Sequence, residues 1–488
     1  MEIKRREFLR FLGYGAAFSG LVNFIDCGSP ADERPNVILI NVDDLGWTDL
    51  SCYGSEYYET PNIDRLAAQG MRFTNAYASC AVCSPTRASI MTGRYPARIG
   101  VTDWIHHLDE KGYESYEKSE NPVEFVGNEN RSLLCPPNPY WMELEEITIA
   151  EVLKEAGYVT CHVGKWHLGY ESWFPDKQGF DFNYGGTEIG QPPSYFDPYH
   201  LNEQRPDIST LPPRREGEYL TDRESDEAVN FIREHKDGPF FLNMCHYAVH
   251  TPLQSKEELE QKYEQKPKTN HTNAVYAGMI ESVDQAVGRL MDVLEETGIS
   301  DNTMIIFTSD NGGLLGHSTD NSPLRSGKGY PYEGGIRIPL IVKWHNVIEE
   351  GVESDVPATS TDHFPTICEA ADIKPQDGRA IDGVSIMPVL RNASGIARES
   401  LFWHFPHYRG RDVAPYSIIR KGEWKLIKRY EGKEFELFDL KNDLSETNDL
   451  SEQMPEKVSE LDSDLMNWLA DTGAKIPRRN PDFKGGSN

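Results

Sequence analysis

The sequence predicts an α/β fold: a doubly wound sheet flanked by helices, followed by a smaller C-terminal α+β domain with a short antiparallel sheet. Three observations carry this expectation. Short, almost continuous apolar runs recur between Asn36 and Lys343, segments of helical periodicity separate them, and beyond Ser400 the pattern turns to alternation broken by turn residues.

Taken in order, residues 1–30 read as an address. Lys4–Arg10 (KRREFLR) precedes a short apolar run, Phe11–Ile25, diluted by glycines and alanines, which is the layout of a twin-arginine export signal. The run falls short of the roughly 20 residues that span a bilayer, so an integral membrane protein is not expected. Export implies the periplasm. Cys27 is a candidate for lipid anchoring, although Phe24-Ile25-Asp26 before it fits a lipobox poorly, and secretion stays open.

The first strand is Asn36–Val42, apolar enough to be buried on both faces of a parallel sheet. Further strands are expected at Tyr158–Val163, Pro239–Cys245, Thr303–Thr308 and Ile338–Lys343. Helices are expected at Asn62–Gln69, Thr148–Ala156, Asp222–His235 and Asn273–Thr297. These elements make a catalytic domain over 34–385. In the smaller domain, 386–488, alternating strands Tyr416–Arg420, Glu423–Lys428 and Phe435–Phe438 are separated by Lys421-Gly422 and Glu431-Gly432, and a helix, Met454–Thr472, closes it. Gly378, Gly383 and Gly395 cluster at the boundary.

Composition narrows the function. A chain of 488 residues exceeds the roughly 250–300 over which one core grows, hence two domains. A net charge of −29 excludes a general nucleic-acid binder, which needs a broad basic surface, so any anionic substrate must meet local cationic groups. The eight cysteines are irregularly spaced and only Cys80 and Cys83 are close; no second pair completes a zinc site.

Chemistry gathers where the strands end. The first runs into Asp43-Asp44, the Thr303 strand into Asp310-Asn311-Gly312-Gly313, the Tyr158 strand into Gly164-Lys165-Trp166-His167, and the Pro239 strand towards His250. In a parallel sheet these ends share one edge, so residues remote in sequence meet in one cleft. Three carboxylates and an amide carbonyl (Asp43, Asp44, Asp310, Asn311) repel one another unless a hard cation balances them, and oxygen ligands select Ca²⁺ ahead of Mg²⁺, and both over zinc. Each piece alone reads as an ordinary polar turn. Arg87, Lys165, Lys328, His167 and His250 surround them, with Lys165 and Lys328 beside glycines that let a ligand approach. A cation, two lysines and an arginine form a receptor for a tetrahedral oxyanion, which points to phosphate or sulfate ester cleavage.

Cys83-Ser84-Pro85-Thr86-Arg87 resembles the Cys-x-Pro-x-Arg core of the type I sulfatases, formylglycine-dependent enzymes of the alkaline-phosphatase-like superfamily, here of the bacterial carbohydrate-cleaving type. The resemblance continues through Ala88-Ser89, Thr92-Gly93-Arg94, Asn41–Gly46, Gly164–Gly169, His250-Thr251-Pro252, Asp310–Gly313, Lys328-Gly329, Tyr332–Pro339, Trp424-Lys425-Leu426 and Leu437–Leu440, nearly the whole chain after residue 30. It implies an alkaline-phosphatase-like doubly wound mixed sheet and oxidation of Cys83 to formylglycine by a formylglycine-generating enzyme. One oxygen of the hydrated aldehyde would attack sulfur as the alcohol departs, and loss of a proton from the other would expel sulfate; a serine would be left as a stable sulfate ester.

By the same resemblance, Asp43, Asp44, Asp310 and Asn311 are the ligands of one Ca²⁺, completed by an oxygen of modified residue 83. Arg87 would stabilise the ionised hydrate and Lys165 would bridge it to the sulfate. His167 would be the base for elimination, His250 would protonate the leaving oxygen, and Lys328 would hold a sulfate oxygen. Val249 stands where the family has proline before that histidine. Cys80 is expected to be a buried bystander, the other reading being a disulfide with Cys83 that would block maturation.

The expected substrate is a sulfated carbohydrate. The polar, aromatic stretch from Trp104 to Tyr140, with His106, His107, Arg131 and Trp141, and the Trp403–Arg409 segment with His404, His407 and Arg409, suit a sugar-binding rim. A phosphodiesterase or phosphonate monoester hydrolase on the same fold, or a catalytically silent binding homologue, are the alternatives.

Overall fold

Asn36–Val42 (β1) lies in the middle of an eight-stranded sheet and is buried along its whole length. Val37 and Leu39 face one apolar cluster while Ile38, Ile40 and Val42 face another, which is why this strand carries no polar alternation. The computed structural model describes residues 34–105, 120–199, 208–212, 215–316, 318–374, 378–393, 395–410 and 412–485. The export-signal expectation, with Cys27, therefore lies outside the described residues, as do His106 and His107.

The other strands of the large sheet are β2 (Met71–Phe73), β3 (Val159–Gly164), β4 (Phe182–Tyr184), β5 (Phe240–His246), β6 (Thr303–Ser309), β7 (Leu340–Lys343) and β8 (Val352–Ser354). Their order is β8-β2-β7-β6-β1-β5-β3-β4. The block β6-β1-β5-β3-β4 is parallel throughout, whereas β7 runs antiparallel to both β6 and β2. Sheet edges apart, this is the α/β architecture read from the sequence, with a mixed sheet. β7 starts at Leu340 rather than Ile338 because Pro339 has no N–H for the ladder.

Helices cover both faces, beginning with α1 (Pro61–Ala68), whose Ile63 and Leu66 join the cluster around Ile38 and Ile40. On one side α3 (Leu220–His235) and α4 (Ala274–Glu296) bury Ala228, Phe231, Ile280 and Val287 against the even residues of β1. On the other, α2 (Cys83–Thr92) contributes Ala88, Ile90 and Met91 to the cluster around Val37 and Leu39. Each such aliphatic side chain, fully buried, stabilises the fold by about 1.5–3 kcal/mol.

The C-terminal sheet has four antiparallel strands in sequential order: β9 (Ser400–Phe405), β10 (Tyr416–Lys421), β11 (Trp424–Arg429) and β12 (Phe435–Asp439). The alternation in β10 and β11 sorts its residues: Ile418 and Ile427 face the segment Tyr77–Val82 before α2, while Ile419 and Leu426 face α5 (Pro455–Asp471) through Leu461, Leu465 and Leu469. The sheet is thus packed on both sides. Among the described residues no helix is long and apolar enough to cross a membrane.

Charges also tie this sheet to the segment between β6 and β7. Lys425 on β11, fully buried, meets Glu333 at 3.0 Å and Glu446 at 2.8 Å; Glu333 in turn accepts from Tyr77 at 2.7 Å and faces Arg337 at 3.3 Å. Removing one member of a buried ionic network leaves its partners unpaired, which costs about 3–5 kcal/mol. Lys425→Ala should therefore lose that much stability in urea unfolding; a loss below about 1 kcal/mol would show that the cluster contributes little.

Candidate active site

Four adjacent parallel strands, β6-β1-β5-β3, deliver the chemistry from their carboxyl ends. Asp43 and Asp44 leave β1, Asp310 and Asn311 leave β6, Lys165 follows β3, and the turn after β5 carries His250. The Asp43 backbone is locked to that turn by two bonds, Asp43 N to Ala248 O at 3.0 Å and Val249 N to Asp43 O at 2.8 Å.

Each carboxylate has a cation. Lys165 Nζ donates to Asp43 Oδ2 at 2.5 Å, Lys328 Nζ to Asp44 Oδ1 at 2.5 Å, and Arg87 holds Asp310 Oδ2 through Nε and Nη2, both at 2.8 Å. Arg87 Nη1 also donates to Lys165 O at 2.8 Å, so the guanidinium ties two strand ends together. Three carboxylates and three cations cancel, which corrects the expectation that repulsion among the acids by itself demands a metal.

The case for a cation rests instead on orphaned oxygens. Asp43 Oδ1, Asp44 Oδ2 and Asn311 Oδ1 are buried and accept no hydrogen bond from the described residues. Asn311 is oriented for this, because its amide nitrogen donates to Asp44 Oδ1 at 2.8 Å and to Gly312 O at 3.0 Å, leaving the carbonyl oxygen over. Buried acceptors without donors are rare, and three converging oxygens with Asp310 alongside suit a hard divalent ion. Asp43, Asp44 and His250 also offer ligand atoms within 4.8 Å of one another. The oxygen set describes the site better, since it uses all three of these oxygens and His250 Nε2 stands 3.6 Å from Asp44 Oδ2, at the border. Gly312 keeps this turn tight: a Cβ there would lie 1.9 Å from Gly334 O.

The electrostatics follow from burial. It would raise Asp44, but Lys328, His250 and Lys165 hold that carboxyl well below the usual carboxylate range. Burial, then Asp43, pushes Asp310 up to about 6. Burial and Lys328 press His250 down to about 3, so its imidazole is neutral at pH 7. Its Nδ1 lies 2.9 Å from Thr251 O; a carbonyl only accepts, so the proton sits on Nδ1 and Nε2 faces the site. The His167 proton likewise sits on Nε2, 2.8 Å from the acceptor Ile105 O.

Cys83 is the first residue of α2, at the helix's positive end, and is 4% exposed. Pro85 is tolerated because its missing N–H falls in the first turn. Thr86 Oγ1 braces the approach by bonding Cys80 N at 3.1 Å and Cys80 O at 3.1 Å. Both cysteines are free thiols; Cys80 packs in the apolar cluster under the small sheet, and burial pushes its thiol up to about 12. Cys83 lies near the Arg87 guanidinium and the Lys328 ammonium.

The glycines beside the lysines serve the chain rather than a ligand. A Cβ at Gly164 would meet Cys245 O at 2.1 Å and one at Gly327 would meet Gly313 O at 2.4 Å. The rim also needs correction. His404 lies inside the small sheet, with Nδ1 bonded to Ser417 Oγ at 2.7 Å and Nε2 to Lys475 O at 3.2 Å. His407 is buried against Thr102 Oγ1 at 2.7 Å, Trp403 bonds Ala78 O, and Trp141 stacks on Trp173. β9 explains this: as a strand it turns His404 and Trp403 into sheet interior. Arg409 keeps partial exposure.

The sequence did not single out Asp49. Fully buried, it accepts from Gly46 N at 2.8 Å, Tyr276 OH at 2.8 Å and Thr319 Oγ1 at 2.5 Å, and Tyr276 OH also reaches Asp44 O at 3.2 Å. It shapes the Asp43–Gly46 turn from behind. In the sequence it reads as one more solvated turn acid.

Residues 35–373 match the family model described as Sulfatase, and residues 327–475 match that described as N-sulphoglucosamine sulphohydrolase, C-terminal. A sulfatase of Formosa agariphila is 34% identical over 97% of this chain and 96% of its own. The N-acetylgalactosamine-6-sulfatase of Homo sapiens is 34% identical over 74% of this chain and 67% of its own. The crystal structure of Ps i-CgsB is 31% identical with a TM-score of 0.75, covering 90% of this chain and 93% of that one. That protein is also known in complex with k-i-k-neocarrahexaose.

Binding of a cation that needs Asp310 ionised weakens as pH falls below about 6, because in the metal-free site the raised carboxyl then takes up a proton. Calorimetric titration with Ca²⁺ should show about tenfold weaker binding at pH 5 than at pH 7.5. Affinity equal at the two pH values would remove Asp310 from the ligand set.

Proposed function

The chain belongs to the sulfatase family and is a sulfuric ester hydrolase, and from that premise we propose that it desulfates a sulfated carbohydrate using one Ca²⁺ and a formylglycine made from Cys83. The observation that supports this most is the trio of orphaned oxygens beside Cys83, each acid already matched by a cation. When present, the divalent ion supplies Lewis acidity towards the ester and the hydrated aldehyde supplies the attacking oxygen. The names of the relatives, and the carrahexaose bound by the similar i-CgsB, support a carbohydrate substrate.

The chain's own residues do the rest. Lys165 and Lys328, paired with the consecutive carboxylates Asp43 and Asp44, bring their ammonium groups to the site and hold sulfate oxygens. Arg87, fixed by Asp310 and Lys165 O, keeps residue 83 in a positive field. His167 carries its proton on Nε2, so Nδ1 is the face that accepts one during release of sulfate. His250 is neutral at rest; an anionic ester beside Lys328 offsets the charge that depresses it, and Nε2 then carries a proton to the leaving oxygen. The twin-arginine layout at Lys4–Arg10 supports action in the periplasm, and a formylglycine-generating enzyme is the maturation partner.

Cys83→Ser should keep its thermal unfolding midpoint yet release sulfate at least about 10⁴-fold more slowly by ion chromatography. Full activity in that variant, or in protein whose Cys83 peptide has the mass of unmodified cysteine, would remove residue 83 as nucleophile. His250→Ala should slow sugar sulfates by about 10²–10⁴-fold and 4-nitrophenyl sulfate, with its better leaving group, far less. Equal losses on the two esters would argue against proton donation by His250.

A further inference from the structure

Beside the catalytic groups the segment Thr102–Ile105 forms a braced ledge. Asn138 grips it with four hydrogen bonds: Oδ1 accepts from Thr102 N at 3.0 Å and Asp103 N at 2.9 Å, while Nδ2 donates to the carbonyls of Asp103 at 3.1 Å and Trp104 at 3.2 Å. One step on, Ile105 N donates to Ser84 Oγ at 2.9 Å, next to Cys83, and Ile105 O accepts from His167. Asp103 is thus held two residues from the carbonyl that orients the candidate base. Its Oδ1 accepts from Trp104 N at 2.8 Å, Oδ2 takes no hydrogen bond from the described residues, and the side chain keeps partial exposure.

The facing wall comes from the small sheet. The bond between His407 and Thr102 seats the stretch 407–409 directly against this ledge. Arg409 is held by paired backbone bonds to Val413, at 2.9 and 3.3 Å, and its side chain lies flat on Gly329, where a Cβ would come within 2.1 Å of Nε. Gly329 has a φ of +87° and follows Lys328, so only glycine gives the guanidinium this seat beside the sulfate-holding lysine. Burial pushes the Asp103 carboxyl up to about 7, with the bond from Trp104 N and the Arg409 charge pulling it back.

We propose that Asp103 and Arg409, on facing walls, recognise the sugar ring that bears the scissile sulfate, Asp103 accepting from its free hydroxyls and Arg409 donating to its oxygens. The proposal rests on the sulfatase reading above and adds a substrate class: a sugar whose positions next to the ester carry free hydroxyls, the groups that an Asp103 carboxyl bonds. An acceptor and a donor set on opposite walls match a polyhydroxylated ring and give nothing to an unsubstituted aromatic alcohol, and a site built to bond hydroxyls discriminates strongly against a ligand lacking them.

The test compares kcat/KM on monosulfated galactose, N-acetylgalactosamine, glucosamine and fucose with kcat/KM on 4-methylumbelliferyl sulfate, for the wild type, Asp103→Asn and Arg409→Ala with Cys83 conversion confirmed by mass. The sugar-to-aryl ratio of the best sugar should fall about tenfold to a hundredfold in each variant. Asp103→Asn changes no volume, so it retains the fold if Arg409→Ala does not. A ratio moved by less than about twofold in a folded variant, with sugars turned over by the wild type, overturns this proposal alone. A wild type that cleaves the aryl ester and none of the sugars overturns the carbohydrate reading and this proposal with it.

Discussion

Everything in the site depends on matching three buried carboxylates to three buried cations at one edge of one sheet. Asp43, Asp44 and Asp310 are withdrawn from water, and so are Lys165, Lys328 and Arg87. Ionised groups in that setting are tolerable only in pairs with good geometry, so each acid constrains the position of a base from a distant part of the chain. The formal charges cancel, and a divalent ion on the orphaned oxygens would leave the site with a surplus of two. That surplus is suited to an anionic ester and to the charge that builds on its leaving oxygen. Without prior pairing, the same ion would be absorbed in neutralising the acids and would offer little to substrate.

The C-terminal sheet supports this matching from outside. Lys328 stands on the loop that runs on to Glu333, and Glu333 is gripped by Lys425 from β11 while its own N–H donates to Glu446 at 2.6 Å. Arg325, four positions before Gly329, donates to Glu446 O at 2.8 Å. A sheet that contributes none of the charged residues around the orphaned oxygens thus holds the loop that brings one of them.

The parallel core was legible because its physics is local. Strands buried on two faces must be apolar throughout, and β1, β5 and β6 lie within a residue of where the apolar runs put them. Placing acids and lysines at strand ends then located Asp43, Asp44, Asp310, Asn311 and Lys165 together, since strand ends in a parallel sheet share an edge. What failed to show was direction and depth. Nothing in Leu340–Lys343 announces that it runs antiparallel, and His404 reads as a polar surface residue until β9 is paired with β10 and closed over by Tyr430 and Lys475. Asp49 was illegible for the same reason: its burial comes from Tyr276 and Thr319, more than 200 residues away.

The Lys425, Glu333 and Glu446 cluster has a temporal consequence. A ribosome delivers residues 43 to 311 long before it delivers Lys425 and Glu446, so on the growing chain Lys328 has no clamp and Asp44 no fixed counter-ion. During that interval the Cys83 helix, destined to be overlaid by Trp403, Ile418 and Ile427 through the Tyr77–Val82 segment, still lacks its cover. A chain that has not yet paired its last strands therefore lacks both the clamp on the Lys328 loop and the cover over the Cys83 helix, and completion of the small sheet supplies the two together.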